Sequence, residues 1–475
     1  MICLRSNRGS VLVVTLIFAA VVAIALTSYM EVSVNALKLS QRSFCSNGAM
    51  NLVDTGFEQA LWSQNSGNWT GFAARSGYAG QWQGTFPSAT DYYRFKQGVK
   101  GQVKVWIDTG AATPHGVARA TITMGDGTTL SKVAEIYVKR RSFFANGLVA
   151  RNTITFSGNN AMVDSWNSDP DDNPATPAIP YSAGVAHDNG SVASTSVQVD
   201  SISVSNADIY GFVAVGGTSL SDISVGPNGL VGPYGTANGT IDTSRVTYDF
   251  TTNFQDESAP STTGYMLSAI AGALTLPRVG DVAAADGSYY YTVPSISLSG
   301  NNSTLSIGGT NANVVITVTN VTGTTVSATG QGGISIAVGS SLALYTGGDV
   351  AIAGNGVANG TLASPNQPAA FQLYGTRPAS AVASSGDQNI SITGNGILSG
   401  VVYAPNGSLT MKGGGTNGII LGSMVGDTIA VTGNSTFHYD ESLANLSSSN
   451  LWAVSKWREL TSAADRSATD AELNF

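Results

Sequence analysis

An acidic stretch in the first half of the chain, DSWNSDPDDNP, has residue types that could hold a metal ion. It contributes four aspartates and one asparagine: Asp164, Asp169, Asp171, Asp172 and Asn173. Clustered carboxylate and amide oxygens are ligands that Ca²⁺ prefers in proteins. The stretch lacks the spacing and the glycine of an EF-hand loop, and short Asp/Asn clusters are common in turns. Calcium binding is therefore one hypothesis, a solvated loop is the alternative, and we expect no other metal.

Side chains suited to catalysis are sparse. The three histidines are His115, His187 and His438, which lie far apart with no partner at metal-ligand spacing. From residue 290 to residue 435 the acidic and basic side chains are Asp349, Asp387, Asp427, Arg377 and Lys412. Enzymes that cleave polysaccharides need paired carboxylates, or a metal beside a basic residue, on one face. The three aspartates each adjoin a glycine, as turn residues do, so we expect no catalytic residue, no cofactor and no enzyme.

The composition predicts a mainly β protein. Charged residues make up 11% of the chain, against about 25% in typical soluble domains. Glycine accounts for 56 of 475 residues, which suits many short strands joined by tight turns. The net charge is −8 and no basic run follows the N-terminus, so we expect no nucleic-acid partner.

An uncharged stretch of 21 residues extends from Ser10 to Met30. As a helix it would be about 31 Å long, close to the thickness of a bilayer core. Arg5 and Arg8 precede it, so the N-terminus is predicted to stay in the cytoplasm. The rest of the chain would then lie in the periplasm or outside the cell, anchored to the inner membrane.

The segment RGSVLVVTLIFAAVVAIAL resembles the N-terminus of type IV minor pilins of the PilX-like group. The resemblance implies cleavage by prepilin peptidase after Gly9, so that residues 1–9 are a leader and Ser10 is the first mature residue. Most pilins have Glu at the fifth mature position, where this chain has Val14. The absence of that Glu implies a minor or tip subunit rather than the major filament subunit.

Two alternatives for the N-terminus remain open. Ala23 and Ala25 fit the small-x-small rule for cleavage of a secretory signal peptide, and the stretch could also be an uncleaved anchor. The pilin-like interpretation is favoured by an apolar stripe at Val53, Phe57 and Leu61, which predicts one helix over residues 10–62. A long helix that leaves the membrane and packs on a globular head is the layout of pilins.

Residues 63–142 predict a small antiparallel β region. Three segments alternate apolar and polar residues, GQVKVWID, VARATITM and SKVAEIYVKR, and Asp126-Gly127 between the last two is a hairpin signal. In the pilin layout this sheet would pack against the second half of the helix.

A short motif with a Gly-Asn corner recurs in the main body, as in VAIAGNG, ISITGNG and IAVTGNS. Its glycines, together with those of the looser copies FQLYGT and SLTMKGGG, fall at positions 354, 375, 394, 413 and 433, with spacings of 21, 19, 19 and 20 residues. A constant period of this length predicts a solenoid, here a parallel β-helix over residues 143–445, with a β-sandwich as the alternative. Residues 446–475, with Val454, Trp457 and Leu460 at helical spacing, predict a short C-terminal capping helix.

Parts of this body, including GVVYAPNGSLTMKGGG and TGNSTFHYDESL, are similar to a C-terminal domain of unknown function in PilX-like and other pilus-associated envelope proteins. The resemblance implies a non-enzymatic cell-envelope protein, a minor or tip component of a type IV pilus or related filament that presents an adhesive surface. Its partners would be the inner membrane, other pilin-like subunits and surface polysaccharide. The alternative is a surface protein that acts on or binds polysaccharide independently of pili.

Overall fold

A computed structural model describes residues 8–110, 114–140, 142–158, 160–173, 176–309, 311–354, 356–361, 364–394, 397–413, 419–446 and 452–475. The chain forms two compact units. Unit 1 comprises Met1–Arg140 together with Ser449–Phe475, and unit 2 comprises Arg141–Ser448.

The elements are numbered in chain order. The helices are α1 Arg8–Ser66, α2 Ala379–Ser385 and α3 Ala463–Ala468. Short 3₁₀ helices are Lys96–Gly98, Leu220–Asp222, Thr243–Arg245, Pro368–Ala370 and Glu441–Asn445. Strands β1 to β6 are Phe72–Ala74, Gln81–Phe86, Tyr93–Arg94, Lys100–Asp108, His115–Thr123 and Thr129–Arg140, and β33 is Trp452–Glu459. Strands β7 to β32 are Leu148–Ala150, Ile154–Phe156, Met162–Trp166, Gly190–Ser194, Ile202–Ser205, Asp208–Val215, Ile223–Val225, Leu230–Gly232, Thr240–Ile241, Val246–Thr247, Tyr265–Met266, Leu274–Leu276, Ser288–Val293, Ile296–Leu298, Thr304–Ile307, Asn313–Val318, Thr324–Ala328, Gly333–Ile336, Ser341–Thr346, Asp349–Ile352, Val357–Asn359, Phe371–Gly375, Gln388–Gly394, Ile397–Gly413, Ile419–Gly433 and Thr436–Asp440.

The second half of α1 packs on an antiparallel sheet in unit 1. The sheet has the order β1-β2-β4-β5-β6-β33, with β3 on β4. Ala49, Val53 and Phe57, spaced four residues apart, are buried on one face of the helix. Val103 and Val105 alternate inward from β4 into the same core. The predicted antiparallel sheet is therefore present, and the helical stripe points at it.

The C-terminal segment is not the predicted capping helix. It forms strand β33, which pairs with β6 at the edge of the sheet, and only Ala463–Ala468 beyond it is helical. The register shifts between Val454 and Lys456, so that Val454 faces Val138 and Trp457 faces Ile136. The extra residue of this bulge places two residues of one strand face three positions apart. This spacing imitates a helical period, which is why the prediction of a helix was wrong.

The last residues of the chain cover the other face of the same sheet. Leu460 and Leu473 are buried against Trp106, Val117 and Val133. An ion pair between Arg119 and Asp470, and a hydrogen bond from Lys104 Nζ to the carbonyl oxygen of Phe475, join this segment to the sheet. Both faces of the sheet are thus packed, one by α1 and one by the C-terminal segment.

Unit 2 consists of parallel strand pairs. A sheet of 22 strands and a sheet of 4 strands contain its named strands, and the pairs with a described register are parallel. Alternating side chains point inward, as in β25, where Leu342 and Leu344 are fully buried. The inward residues of successive strands form one continuous apolar core.

The larger sheet closes on itself. Strand β31 pairs with β7, β7 with β10, β10 with β12, β12 with β9, β9 with β32, and β32 again with β31. These six parallel strands form a closed barrel, and further strands extend from it.

The predicted solenoid over residues 143–445 is therefore wrong. In a solenoid each repeat contacts only its neighbours in the sequence. Here the first strands of unit 2 pair with its last strands, so that Leu148 faces Met424 and Asp164 faces His438. A sequence motif can mark a segment as a strand, but it does not tell which distant strand will be its partner.

The recurring glycines also do not occupy structurally equivalent positions in the strands. Gly394, Gly413 and Gly433 lie side by side in neighbouring strands, whereas Gly375 ends β28 in a different ladder. Gly433 has a φ of +72°, and a Cβ there would lie 2.5 Å from the carbonyl oxygen of Gly413. Close stacking of backbones at the strand ends, rather than a constant repeat length, requires these glycines.

Candidate functional site

The first part of α1 is an apolar helix that is exposed on all sides. Every residue from Val11 to Phe44 is exposed, and Cys45 is the first buried one. At a rise of about 1.5 Å per residue, these positions form a helix about 50 Å long. Among the described residues this is the one helix long and apolar enough to cross a membrane. An N-terminal apolar helix of this kind is compatible with a membrane anchor.

The residues of the predicted processing site lie at the start of this helix. α1 begins at Arg8, which places Gly9 and Ser10 in its first turn, while Arg5 lies outside the described residues. Val14 is 54% exposed within the apolar stretch. Whether the chain is cut between Gly9 and Ser10 remains a prediction.

Two threonines inside the apolar stretch make their hydrogen bonds within the helix. The hydroxyl of Thr15 donates to the carbonyl oxygens of Val11 and Leu12, and that of Thr27 donates to the carbonyl oxygen of Ala23 at 2.8 Å. Backbone acceptors of the same helix replace water as partners, which is what a segment in lipid requires.

A buried polar cluster occupies the junction between the first and last strands of unit 2. Asp164 on β9 and His438 on β32 face each other, and each is 2% exposed. One carboxylate oxygen of Asp164 is hydrogen-bonded to His438 Nδ1. The other accepts hydrogen bonds from the hydroxyls of Tyr181 at 2.7 Å and Tyr234 at 3.3 Å. The ring of Tyr181 stacks on that of His438, with 3.6 Å between the centroids.

The tyrosines of this cluster are held in the protonated form. Burial raises the pKa of the Tyr181 hydroxyl far above its usual range, and the hydrogen bond to Asp164 raises it further. Burial and the Asp164 carboxylate raise the pKa of Tyr234 to about 12. Both hydroxyls therefore stay donors to Asp164 at physiological pH, and the cluster acts as a fixed hydrogen-bond network.

A second carboxylate on the neighbouring 3₁₀ helix anchors the same junction. Glu441 Oε1 accepts from the Ser165 hydroxyl at 2.7 Å and from Asn189 Nδ2 at 3.1 Å, and lies 3.0 Å from His187 Nδ1. Burial alone would raise the pKa of the Glu441 carboxyl, but these hydrogen bonds outweigh it and keep the pKa below its usual value. Glu441 is therefore held ionised by groups on β9 and on the loop before β10.

In the neighbouring residue, Asp440, the effect of burial on the pKa outweighs that of the hydrogen bonds. Burial raises the pKa of the Asp440 carboxyl, against the hydrogen bonds donated by Ser168 and Ser442. Its two oxygens accept from the backbone and the hydroxyl of Ser168 at 3.0 and 2.6 Å. The bonds hold the start of the acidic loop onto β32.

The acidic loop does not gather its oxygens around one point. Asp164 is in the buried cluster, whereas Asp169 accepts from the backbone N–H of Asn173 and from Gln367 Nε2, and Asp171 accepts from the Thr176 hydroxyl. Asp172 has a φ of +51°, as a turn residue does. Among the described residues there is no group of three or more His, Cys, Asp or Glu side chains that could hold a metal ion. The hypothesis of a calcium site gains no support from this arrangement.

The sequence indicated Asp164 but not its partners. Tyr181, Tyr234 and His438 come from segments that no short motif connects. One local signal was available: in the segment STFHYD, Phe437 and Tyr439 point inward, so the alternating His438 and Asp440 must point away from the apolar core. The structure shows that both outward residues are buried, because the loop after β9, which carries Ser168 and Tyr181, covers them.

The chain is similar to one family model and to a solved pilin structure. A family model described as a domain of unknown function (DUF7305) matches residues 247–446, which is 200 of 475 residues. No curated protein matches the chain. Among solved structures, the competence-associated pilin ComZ from Thermus thermophilus is similar at 9% identity and a TM-score of 0.28, over 87% of this chain and 97% of that chain. A TM-score this low does not establish a shared fold. The matched domain includes His438 but not Asp164, so it covers only one side of the buried cluster.

Proposed function

We propose that this protein is a pilin-like, membrane-anchored subunit of a bacterial type IV pilus or related filament, and that it has no enzymatic activity. The observation that carries the proposal is the division of α1 into two parts. Residues 11–44 are exposed, and the apolar stretch ends at Met30. From Cys45 onward the helix packs on an antiparallel sheet, and its buried side chains share one core with those of the sheet. This is the arrangement that the resemblance to pilins implied.

The exposed part has the dimensions of a membrane anchor. Residues 11–30 as a helix measure about 30 Å, which matches a bilayer core. Arg5 and Arg8 precede this stretch and favour a cytoplasmic N-terminus. The sheet and unit 2 would then lie on the periplasmic or extracellular side.

The position of Val14 supports an accessory role. The glutamate that most pilins carry at this place is implied to pair with the N-terminal amine of the neighbouring subunit. A valine cannot make that pair, so we assign the chain to a minor or tip subunit, which would present unit 2 as an adhesive surface.

The buried cluster supports the absence of catalysis. Asp164 and His438 are each 2% exposed, and the Asp164 carboxylate oxygens pair with His438 and two tyrosine hydroxyls. A catalytic pair must reach a substrate. These side chains are better suited to joining the first and last strands of unit 2.

The mature N-terminus tests the proposed processing. Intact-mass measurement of the protein purified from membranes of cells that contain prepilin peptidase should give a chain that begins at Ser10. Replacing the residue before the cut, Gly9→Leu, should leave the leader attached, whereas Ser10→Ala on the other side should still be cut. A chain that begins at Leu26, or one that keeps residues 1–9 in the presence of the peptidase, would contradict the pilin-like assignment.

A further inference from the structure

Unit 2 contains a cavity of about 360 Å³ next to the buried cluster. One wall is the loop after β9, with Ile179, Pro180 and Tyr181. The other wall is formed by β27 and the loop after it, including Ala358 and Asn366. The volume is within the range of about 300–1,000 Å³ that is typical of small-molecule sites.

Hydrogen bonds hold both walls in place. Gln367 Nε2 donates to Asp169 Oδ2 at 3.0 Å and so links the loop after β27 to the loop after β9. Asn366 Nδ2 donates to the carbonyl oxygen of Ala337, and Asn359 Nδ2 donates to that of Ser399, at 3.0 and 3.2 Å. The cavity is therefore formed before any ligand enters, so a ligand would not have to order the loops.

The lining excludes charged ligands. Among the described residues around the cavity there is no Asp, Glu, Lys, Arg, His or Cys. The amide groups of Asn359 and Asn366 are bonded to each other and to the backbone, and the Tyr181 hydroxyl is bonded to Asp164. Since an unpaired charge is costly to bury without a partner, an ion would not be stable here.

Among the described polar side chains that line the cavity, that of Ser399 is the one without a hydrogen bond. Ser399 is 8% exposed and lines the cavity, and its hydroxyl has no hydrogen-bond partner among the described residues. This hydroxyl faces the cavity and can pair with a donor or acceptor that enters the site. The rest of the lining combines aliphatic residues, among them Val357, Leu421 and three prolines, with Trp166 and with polar side chains that already make hydrogen bonds.

We propose that this cavity binds a small uncharged molecule, apolar over most of its surface, whose single hydroxyl or carbonyl pairs with Ser399. An apolar cavity of about 150 Å³ in another protein holds one benzene molecule, so the volume here accommodates a substituted aromatic ring. A free sugar fits poorly, because the lining amides and the Tyr181 hydroxyl are already paired within the protein, so most of the sugar hydroxyls would find no partner. The proposal does not depend on the pilin-like function.

The test uses 4-fluorophenol as the probe, followed by ¹⁹F NMR during titration of the full-length chain in detergent. Binding should saturate. Ala358→Trp should weaken it at least tenfold by filling the cavity, and Ser399→Ala should weaken it about threefold to tenfold by removing one hydrogen bond. Fluorobenzene should bind more weakly than 4-fluorophenol, and the charged 4-fluorobenzoate should not compete.

The matched control is Thr275→Trp. Thr275 and Ala358 are both exposed and lie in the same four-stranded sheet, but Thr275 does not line the cavity. Partition of the probe into detergent or onto α1 would be equal in the two tryptophan variants. Equal affinity of Ala358→Trp and Thr275→Trp, an unchanged affinity in Ser399→Ala, or competition by 4-fluorobenzoate would each overturn the proposal.

Discussion

Replacing Asp164 by alanine should lower the free energy of unfolding of unit 2 by about 3 kcal/mol or more. The change removes the acceptor of three side chains at once: His438, Tyr181 and Tyr234. A buried polar group left without its partner costs about 1–3 kcal/mol, and breaking a buried pair by removing one member costs about 3–5 kcal/mol. The loss falls where the first strands of unit 2 meet the last ones, so it weakens the closure of the barrel.

Urea unfolding followed by fluorescence would measure this loss. Trp166 is the only tryptophan of unit 2 in the sequence, so the difference from a Trp166→Phe background isolates its signal. Asp171→Ala is the control, since Asp171 is exposed in the loop and should change stability by at most about 0.5 kcal/mol. Equal midpoints for Asp164→Ala and Asp171→Ala would show that the buried cluster does not hold the barrel closed.

Gly56→Leu should destabilise unit 1 by about 2–3 kcal/mol. A Cβ at Gly56 would lie 2.6 Å from Val105 Cγ2 and 3.0 Å from Val103 Cγ2, so any larger side chain must push α1 away from the sheet. Overpacking of this kind costs about 1–3 kcal/mol, sometimes more, and outweighs the gain in helix propensity of about 0.8 kcal/mol.

Gly48→Ala is the matched control on the same face of α1. There the added Cβ would lie 3.2 Å from the end of the Ile122 side chain and at an ordinary contact distance of 3.7 Å from the Phe95 ring. Because alanine favours the helix by about 1 kcal/mol over glycine, this variant should be neutral or slightly more stable. Near-ultraviolet circular dichroism of the unit 1 tryptophans during urea unfolding would report both variants. If Gly56→Leu unfolds at the same urea concentration as the wild type, α1 does not pack on the sheet as closely at Gly56 as described.

Local sequence patterns predicted α1 and strands β4, β5 and β6 of unit 1, but not β1, β2 and β3. The spacing of Val53, Phe57 and Leu61 predicted the buried helix face, and Asp126-Gly127 predicted the turn between β5 and β6. In the structure, the Asp126 carboxylate accepts from the backbone N–H of Thr128, and Gly127 has a φ of +83°. Contacts between neighbours in the sequence determine both features, so the sequence alone was enough.

The sequence alone did not predict the features that depend on pairing between strands far apart in the chain. Strand β33 pairs with β6 across more than 300 residues, and its bulge at Ser455 gave an apolar spacing that is typical of a helix. In unit 2 the glycine period predicted strands but not their order, because Leu148 pairs with the distant Met424 as well as with Val192. The buried cluster follows from the same pairing, since Asp164 and His438 are 274 residues apart and meet only when the barrel closes.

The presence of the protein in sheared filaments tests the proposed role as a filament subunit most directly. Filaments sheared from the bacterium that encodes the chain should contain the mature protein together with the major subunit, as detected by an antibody against unit 2. The Gly9→Leu variant, which keeps its leader, should remain in the inner membrane. Filaments that carry the major subunit but lack this protein, while its mature form stays entirely in the membrane, would contradict the account.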